Sequence, residues 1–204
     1  MRSRRAAALV LALVPVAPAA AQTPARIELV ERIVAVVDER PLLLSDVRAL
    51  QAVRGLAEET AREAAIDERL MHVEASRLPQ ADVSLEEEDR ALALLVETRP
   101  ALHPEVPELD LRRLLRRQMA ILKYVEFRFR PQVHVNDEDV RKAWEDEQAG
   151  RPAGPAFEDE QEELRARLER RALDERIETW VRELRQRADV RYVGGPPKAP
   201  PGAP

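Results

Sequence analysis

The chain has 204 residues, of which 35% are charged and 3% are aromatic, and its formal net charge is −5. An acidic chain lacks the basic excess that a nucleic-acid-binding protein uses to contact phosphates. The chain contains no cysteine, so a packed core and not a set of disulfides must stabilise it. The abundance of Leu, Ala, Arg and Glu is typical of a helical protein.

Residues 1–21 have the pattern of a cleaved signal peptide. Three arginines, at positions 2, 4 and 5, precede the apolar stretch 6–14, and the segment ends in the small residues Ala19, Ala20 and Ala21. The apolar stretch is shorter than the roughly 20 residues that a membrane-spanning helix needs. We therefore expect export to the periplasm, cleavage after Ala21 and no stable membrane insertion. Cleavage would remove three of the 33 basic residues and none of the 38 acidic ones.

The first elements predicted after this segment are a β-hairpin and the start of a helix. The run Ile33–Val37 is β-branched, residues 38–41 are polar or proline, and Leu42–Leu44 is a second apolar run. This order predicts a strand, a turn and a short second strand. Ser45 stands where an N-cap belongs, and Asp46 follows in the first turn, where a carboxylate interacts favourably with the helix dipole.

Two amphipathic helices are predicted next. The first extends from about Thr60 to Arg77, and Pro79 marks its end; its apolar face is formed by Ile66, Leu70 and Val73, with Met71 beside them. Ser84 and Glu87 then have the spacing of a capping box, which predicts a helix over 85–98.

The longest helix in the middle of the chain is predicted from apolar residues repeating at three and four positions: Leu111, Leu114, Leu115, Met119, Leu122 and Val125. Another face of this helix carries Arg112, Arg113, Arg116 and Arg117. An arginine run of this kind typically forms a solvated face that pairs with nearby acids. Contact with an acidic client or with lipid is the alternative interpretation.

The last third of the chain predicts two more helices and a strand. Asn136 has the position of an N-cap, and residues 149–156 form a Gly/Pro hinge. Phe157 opens a long, highly charged helix with a recurring series of apolar residues: Leu164, Leu168, Ile177, Val181 and Leu184. Residues 190–193 then predict a terminal strand that could pair with the hairpin and fasten the two ends of the domain together. Residues 194–204 are rich in Gly, Pro and Ala, which predicts a disordered tail.

No sequence motif predicts an active site, a metal site or a cofactor. His72, His103 and His134 are far apart in the sequence, and no cysteine or carboxylate accompanies them at metal-ligand spacing. The six glycines form neither a phosphate-binding loop nor a nucleophile elbow. We therefore expect no catalytic residues, no metal and no cofactor.

Several segments, in their order along the chain, resemble the SurA family of periplasmic chaperones. Residues 30–47, VERIVAVVDERPLLLSDV, are similar to the opening segment of the mature family domain. In the family this segment ends in Ser-Asp-Val at the start of the first helix. The segments 66–71 and 83–88 resemble the second helix of the family and the entry to its third helix. The segments 117–122 and 133–140 resemble the end of the family's N-terminal domain.

This resemblance implies a mainly α fold, the peptide-binding helical domain of SurA and trigger factor, with a small β-hairpin near the N-terminus. The domain would span residues 22–193, with residues 157–193 as the family's returning C-terminal helix and strand. In the family, one or two parvulin-type prolyl isomerase domains precede this return. They are missing here, since the interval from Val140 to Phe157 is far too short to contain one.

The resemblance implies an ATP-independent holdase that binds unfolded segments of outer-membrane proteins in a groove between helices. Leu92, Leu95, Leu115 and Met119 are candidate peptide-binding residues, because leucine and methionine adapt readily to different partners. Helical stripes of this kind also form ordinary core. Two other functions remain open, a peptidyl-prolyl isomerase-related protein and a periplasmic docking or assembly subunit with one dedicated partner.

Overall fold

The structure is a computed structural model that describes residues 31–149 and 156–194, except for the side chain of His103. The predicted signal peptide, the interior of the predicted hinge and the tail after Gly194 lie outside the described residues.

Within the described residues the chain is mainly helical, with a small antiparallel sheet. The elements are β1 (Ile33–Val37), β2 (Arg40–Leu43), α1 (Leu44–Arg54), α2 (Glu58–Ala75), α3 (Leu85–Thr98), the short α4 (Leu102–Glu105), α5 (Glu108–Arg128), α6 (Asp137–Gln148), α7 (Phe157–Arg187) and β3 (Val190–Tyr192). One-turn 3₁₀ helices occupy Pro79–Ala81 and Arg130–Gln132. The mainly α fold, the N-terminal hairpin and the C-terminal strand are thereby confirmed.

Strand β1 is central in the sheet, whose order is β2-β1-β3. Both neighbours are antiparallel to β1. The Asp38 N–H donates to the Asp189 carbonyl over 3.0 Å, and the Val193 N–H donates to the Val34 carbonyl over 3.1 Å. The predicted closure is therefore present, because β3 pairs with the first strand of the hairpin.

The hairpin turn is tighter than the sequence pattern predicts. Only Asp38 and Glu39 connect the strands, and both have positive φ, 47° and 65°. A two-residue turn with positive φ at both positions matches the right-handed twist of a hairpin. The prediction that Arg40 and Pro41 belong to the turn and Leu44 to the second strand is wrong, since β2 spans Arg40–Leu43 and Leu44 begins α1.

Glu39→Gly is expected to raise the melting temperature. A side chain in the left-handed region costs roughly 1–2 kcal/mol, and glycine's larger unfolded-state entropy offsets roughly 0.5–1 kcal/mol of that gain. A net stabilisation of about 0.5–1 kcal/mol should appear in thermal unfolding. Glu162→Gly, at an exposed position inside α7, is the control and should destabilise by about 1 kcal/mol. Destabilisation by both variants would contradict the assigned strain.

Two of the three predicted helix caps are confirmed. Ser84 and Glu87 form a reciprocal capping box at α3, and the Asn136 side chain accepts the Asp139 N–H over 2.8 Å at α6. Ser45 is not the N-cap, because α1 begins at Leu44 and its N-cap is Leu43, two residues before Ser45. Asp46 instead accepts the Leu43 N–H over 3.3 Å at the start of the helix.

The main core lies between the sheet and helices α1, α2, α5 and α7. Ile66, Leu70, Leu111 and Leu114, all predicted to be apolar face residues, are buried there. Leu122 is an exception, because its side chain is 59% exposed. The predicted apolar stripe of α5 is thus wider than the face that the fold covers.

A second, smaller core joins α6 to the N-terminal half of α7. Val135, Val140, Phe157 and Leu164 are buried in it, with Trp144 edge-on to the Phe157 ring at 5.8 Å. The 31 residues of α7 correspond to a length of about 45 Å. This single helix therefore contributes side chains to both cores.

Candidate functional site

A groove of about 450 Å³ lies between α2 and α7. Its apolar surface comes from Ala64 and Met71 on α2 and from Ile177 and Val181 on α7. These residues are four to seven positions apart on each helix, so each pair lies on one helical face. All four are only partly buried, which leaves apolar surface open along the line where the two helices meet.

An ionic cluster at one end of the groove joins α2, α7 and β3. The Arg185 guanidinium donates to the Glu63 side chain over 2.7 Å and also contacts Asp67. The Tyr192 hydroxyl donates to the same Glu63 carboxylate over 3.2 Å. Burial and this hydrogen bond raise the pKa of Tyr192 above its usual 10. The cluster fixes the distance between the two helices that form the groove.

A second ionic network lies at the junction of α1, α2 and α5. Arg117 donates to Asp46 over 2.8 Å and to Glu68 over 3.0 Å. Arg69 donates to the other oxygen of Asp46 over 3.2 Å, and Gln118 donates to Glu68 over 3.1 Å. Asp46 and Glu68 are buried, and Glu68 also lines the groove. The network therefore holds one wall of the groove against α5.

The sequence pattern predicted that the arginine run on α5 forms a solvated face. In the structure only part of this run is solvated. The Arg117 side chain is 12% exposed and belongs to the buried network. Arg112 and Arg116 converge on the buried carboxylate of Glu88 in α3, at 3.3 and 2.7 Å. Arg113 and Arg116 fit the prediction, since their side chains are 51% and 48% exposed and pair with Asp110 and Glu88.

The four residues predicted to bind peptide do not line the α2–α7 groove. Leu92 is buried in the main core, with an exposed fraction of 7%. Leu95 and Leu115 are partly buried against the same core, and Met119 packs partly buried against a small cluster around Ala120. Leu95, Leu115 and Met119 keep some accessible surface, whereas Leu92 is a core residue in this structure.

Exposed apolar side chains occur on α3 and α5. Leu94 is 61% exposed, Leu109 and Leu122 are each 59% exposed, and Phe127 is 53% exposed. Single exposed apolar residues are common in soluble proteins. With Leu85 at the start of α3, which is 70% exposed, five large ones on two adjacent helices add apolar surface outside the groove.

A second cavity, of about 350 Å³, lies beside the C-terminal end of α2 and is lined by His72, Ser76 and Arg116, among others. Burial and the charges of Arg117, Arg69 and Arg40 lower the pKa of His72. His72 is thus neutral near pH 7. Among the described residues, no cluster of His, Cys, Asp and Glu has the geometry to hold a metal ion.

The capping box of α3 makes the stability of the fold depend on pH in the acid range. Hydrogen bonds from Lys123 and Ser84 lower the pKa of Glu87 from 4.5 to about 2. A depressed carboxyl pKa stabilises the fold above the unfolded value near 4.5, and this contribution is lost as the pH falls to about 2. As the pH falls from about 4.5 to about 2, the melting temperature of the wild-type protein should therefore fall more steeply than the melting temperature of Glu87→Gln. Glu86→Gln is the control and should retain the wild-type slope.

The groove residues were not singled out by the sequence pattern. Ile177 and Val181 belong to the predicted apolar stripe of their helix, and nothing local distinguishes them from core residues. One signal was available, since Met71 lies beside the Ile66–Leu70 stripe and not within it. The packing of α2 against α7 decides which edges of the two apolar stripes stay accessible. Because α7 follows α2 by about 100 residues in the sequence, no local pattern reports this packing.

Comparison with known proteins adds no identification, since no protein-family model and no curated protein matches the chain. Among the described residues no helix is long and apolar enough to cross a membrane.

Proposed function

We propose that the protein is an ATP-independent periplasmic chaperone that holds unfolded segments of outer-membrane proteins and catalyses no reaction. The observation that carries this proposal is the open apolar groove between α2 and α7. Unfolded clients expose apolar side chains, and a concave apolar surface with fixed walls binds them without chemical change. The charged residues at its rim keep the surface soluble when it is empty.

The sequence resemblance supports the same proposal. The hairpin, the Ser-Asp-Val start of α1, the capped α3 and the return of α7 and β3 occur in the order found in the SurA family. The chain passes from Gln148 to Phe157 in eight residues, which is too short for a parvulin domain. Holding a client, and not isomerising its prolines, is therefore the function we propose.

The first experiment measures aggregation of a urea-unfolded outer-membrane porin diluted into buffer without ATP. The mature chain in several-fold excess is expected to suppress light scattering. No suppression would exclude the holdase. Binding to one dedicated protein that unrelated unfolded porins do not compete for would instead favour the docking subunit.

Val181→Glu tests whether the groove binds the client. A charge in the centre of the apolar surface would have to be desolvated by an apolar client, so we expect suppression to require at least fivefold more protein. Ala166→Glu introduces the same side chain at an exposed position of the same helix and should leave suppression unchanged. Both variants are compared at equal folded fraction by circular dichroism. Equal activity of the two variants would place the client elsewhere.

A further inference from the structure

The two outer edges of the sheet differ in their capacity to accept another strand. Val37 pairs with Arg40 next to the turn, so Pro41, one residue further, turns its main chain away from β1. Proline at an outward position removes the N–H that a new strand would need. The β2 edge is thus blocked, whereas β3 contains no proline and no described strand lies on its outer side.

The register of β3 shows which of its main-chain groups are free. The Asp189 carbonyl and the Val193 N–H form hydrogen bonds to β1. Because such bonds alternate along an antiparallel pair, Val190 and Tyr192 direct their N–H and C=O groups outward. Unpaired groups of this kind are a template for pairing with another chain.

The combination of one blocked and one open edge favours a second copy of the chain as the partner. A strand from an unfolded client would cover β3 but would present an open edge of its own, to which further unfolded chains could add. A second copy contributes its own β3, so a single two-fold contact closes both open edges. The three strands of each copy would then form one six-stranded sheet that carries Pro41 on both outer strands.

The charges on the outer face of β3 match a second copy in one register. A two-fold axis at Val190 places Asp189 of each copy opposite Arg191 of the other copy. Asp189 and Arg191 are 65% and 62% exposed, so both are accessible from the second copy. Opposite charges directly across a strand pair stabilise it, whereas an axis at Arg191 would place two arginines opposite each other.

The inner face of β3 is matched in the same register. Ala188, Val190 and Tyr192 are apolar side chains that are partly buried against the main core. An axis at Val190 places the two Val190 side chains side by side and each Tyr192 opposite Ala188 of the other copy. An axis at Tyr192 would instead place Arg191 opposite Val193, with no charge to pair with. The Val190 register therefore brings apolar side chains together on one face and ion pairs on the other.

We propose that the protein forms a two-fold dimer in which the outer edges of two β3 strands pair about Val190. The Val190 N–H of each copy donates to the Val190 carbonyl of the other copy, and two ion pairs between Asp189 and Arg191 flank these bonds. The dimer is independent of the proposed chaperone function, because the α2–α7 groove is formed within one chain.

A charge exchange tests the ion pairs by sedimentation velocity of the full mature chain. Asp189→Arg would place arginine opposite arginine, and Arg191→Asp would place aspartate opposite aspartate, so each variant alone is expected to dimerise at least tenfold more weakly than wild type. An equimolar mixture of the two variants restores both ion pairs and is expected to dimerise within threefold of wild type. Arg170→Asp, at an exposed position of α7, is the control and should not affect dimerisation.

Cysteine cross-linking tests the register, since the chain contains no cysteine of its own. With the axis at Val190, residue 189 lies directly opposite residue 191 of the second copy, close enough for a disulfide. A mixture of the single variants Asp189→Cys and Arg191→Cys is expected to form a disulfide-linked dimer on mild oxidation. Each variant alone is not, because its two cysteines would be diagonal neighbours about 7–8 Å apart.

Several results would overturn the proposed dimer. The first is a mature chain that is still monomeric at about 1 mM, where a contact of only about 4 kcal/mol would half-saturate. Rapid cross-linking of Arg191→Cys alone would show a different register. A dimer that is lost in the chain ending at Gly194 would assign the contact to the residues that follow. A monomer that binds an extended peptide along β3 would assign the edge to a client.

Discussion

Arg117→Ala is expected to lower the free energy of unfolding by roughly 3–5 kcal/mol, the cost of breaking a buried ion pair by removing one partner. Arg117 is the residue that contacts both buried acids of the α1–α2–α5 network, Asp46 and Glu68. Its loss would leave Glu68, with a side chain that is 4% exposed, beside Gln118 and a distant Arg54 at 4.0 Å. Chemical denaturation at neutral pH measures the change.

Two comparisons make this prediction specific. Arg113→Ala, one helical turn earlier, removes an exposed ion pair with Asp110 and should cost less than about 1 kcal/mol. The double variant Arg117→Met, Glu68→Gln neutralises the carboxylate that Arg117 leaves behind and keeps Asp46 paired with Arg69, so it should recover much of the lost stability. Equal effects of Arg113→Ala and Arg117→Ala would mean that the buried network contributes little.

The difference between these two arginines also shows the limit of sequence reasoning. They lie on nearly the same helical face, and nothing in the local sequence separates them. Arg117 is buried because its acidic partners, 71 and 49 residues away along the chain, are brought to it by the packing of α1 and α2 on α5. Helical periodicity describes one helix at a time, so it cannot report which part of a polar face a neighbour covers.

Local signals succeeded where the determining contacts are local. The capping box of Ser84 and Glu87 and the cap of Asn136 each involve residues three apart, and the helix starts that they predict are correct. The β-branched run Ile33–Val37 likewise became a strand. Ser45 failed as a cap because α1 starts at Leu44, two residues earlier than a Ser45 cap would place it, and the Asp46 carboxylate accepts the Leu43 N–H there.

The candidate site was the least predictable feature. The groove forms between the partly open edges of two apolar stripes, one on α2 and one on α7, and neither stripe differs in sequence from a buried one. Leu92 illustrates the reverse case, since it was a candidate for peptide binding and is buried in the core. Composition and spacing identify apolar faces, whereas the packing of whole helices decides which parts of them remain accessible.

Removal of β3 is the second change with a large expected effect. A chain ending at Ala188 lacks the strand that pairs with β1, including the half-buried side chains of Val190 and Tyr192. Complete burial of such side chains is worth roughly 1.5–3 kcal/mol each, and each lost hydrogen bond adds roughly 0.5–1.5 kcal/mol. We expect a loss of about 3 kcal/mol, or about 10 °C in melting temperature for a domain of this size.

The reference for this measurement is the chain ending at Gly194, so that both proteins lack the same following residues. Arg191→Ala in that reference removes only an exposed side chain and should shift the melting temperature by less than about 2 °C. Tyr192→Phe should account for part of the loss, because it removes the hydroxyl that donates to Glu63. An unchanged melting temperature on truncation at Ala188 would show that β3 does not fasten the C-terminal end of α7 to the hairpin, and the sheet would then be stable as β1 and β2 alone.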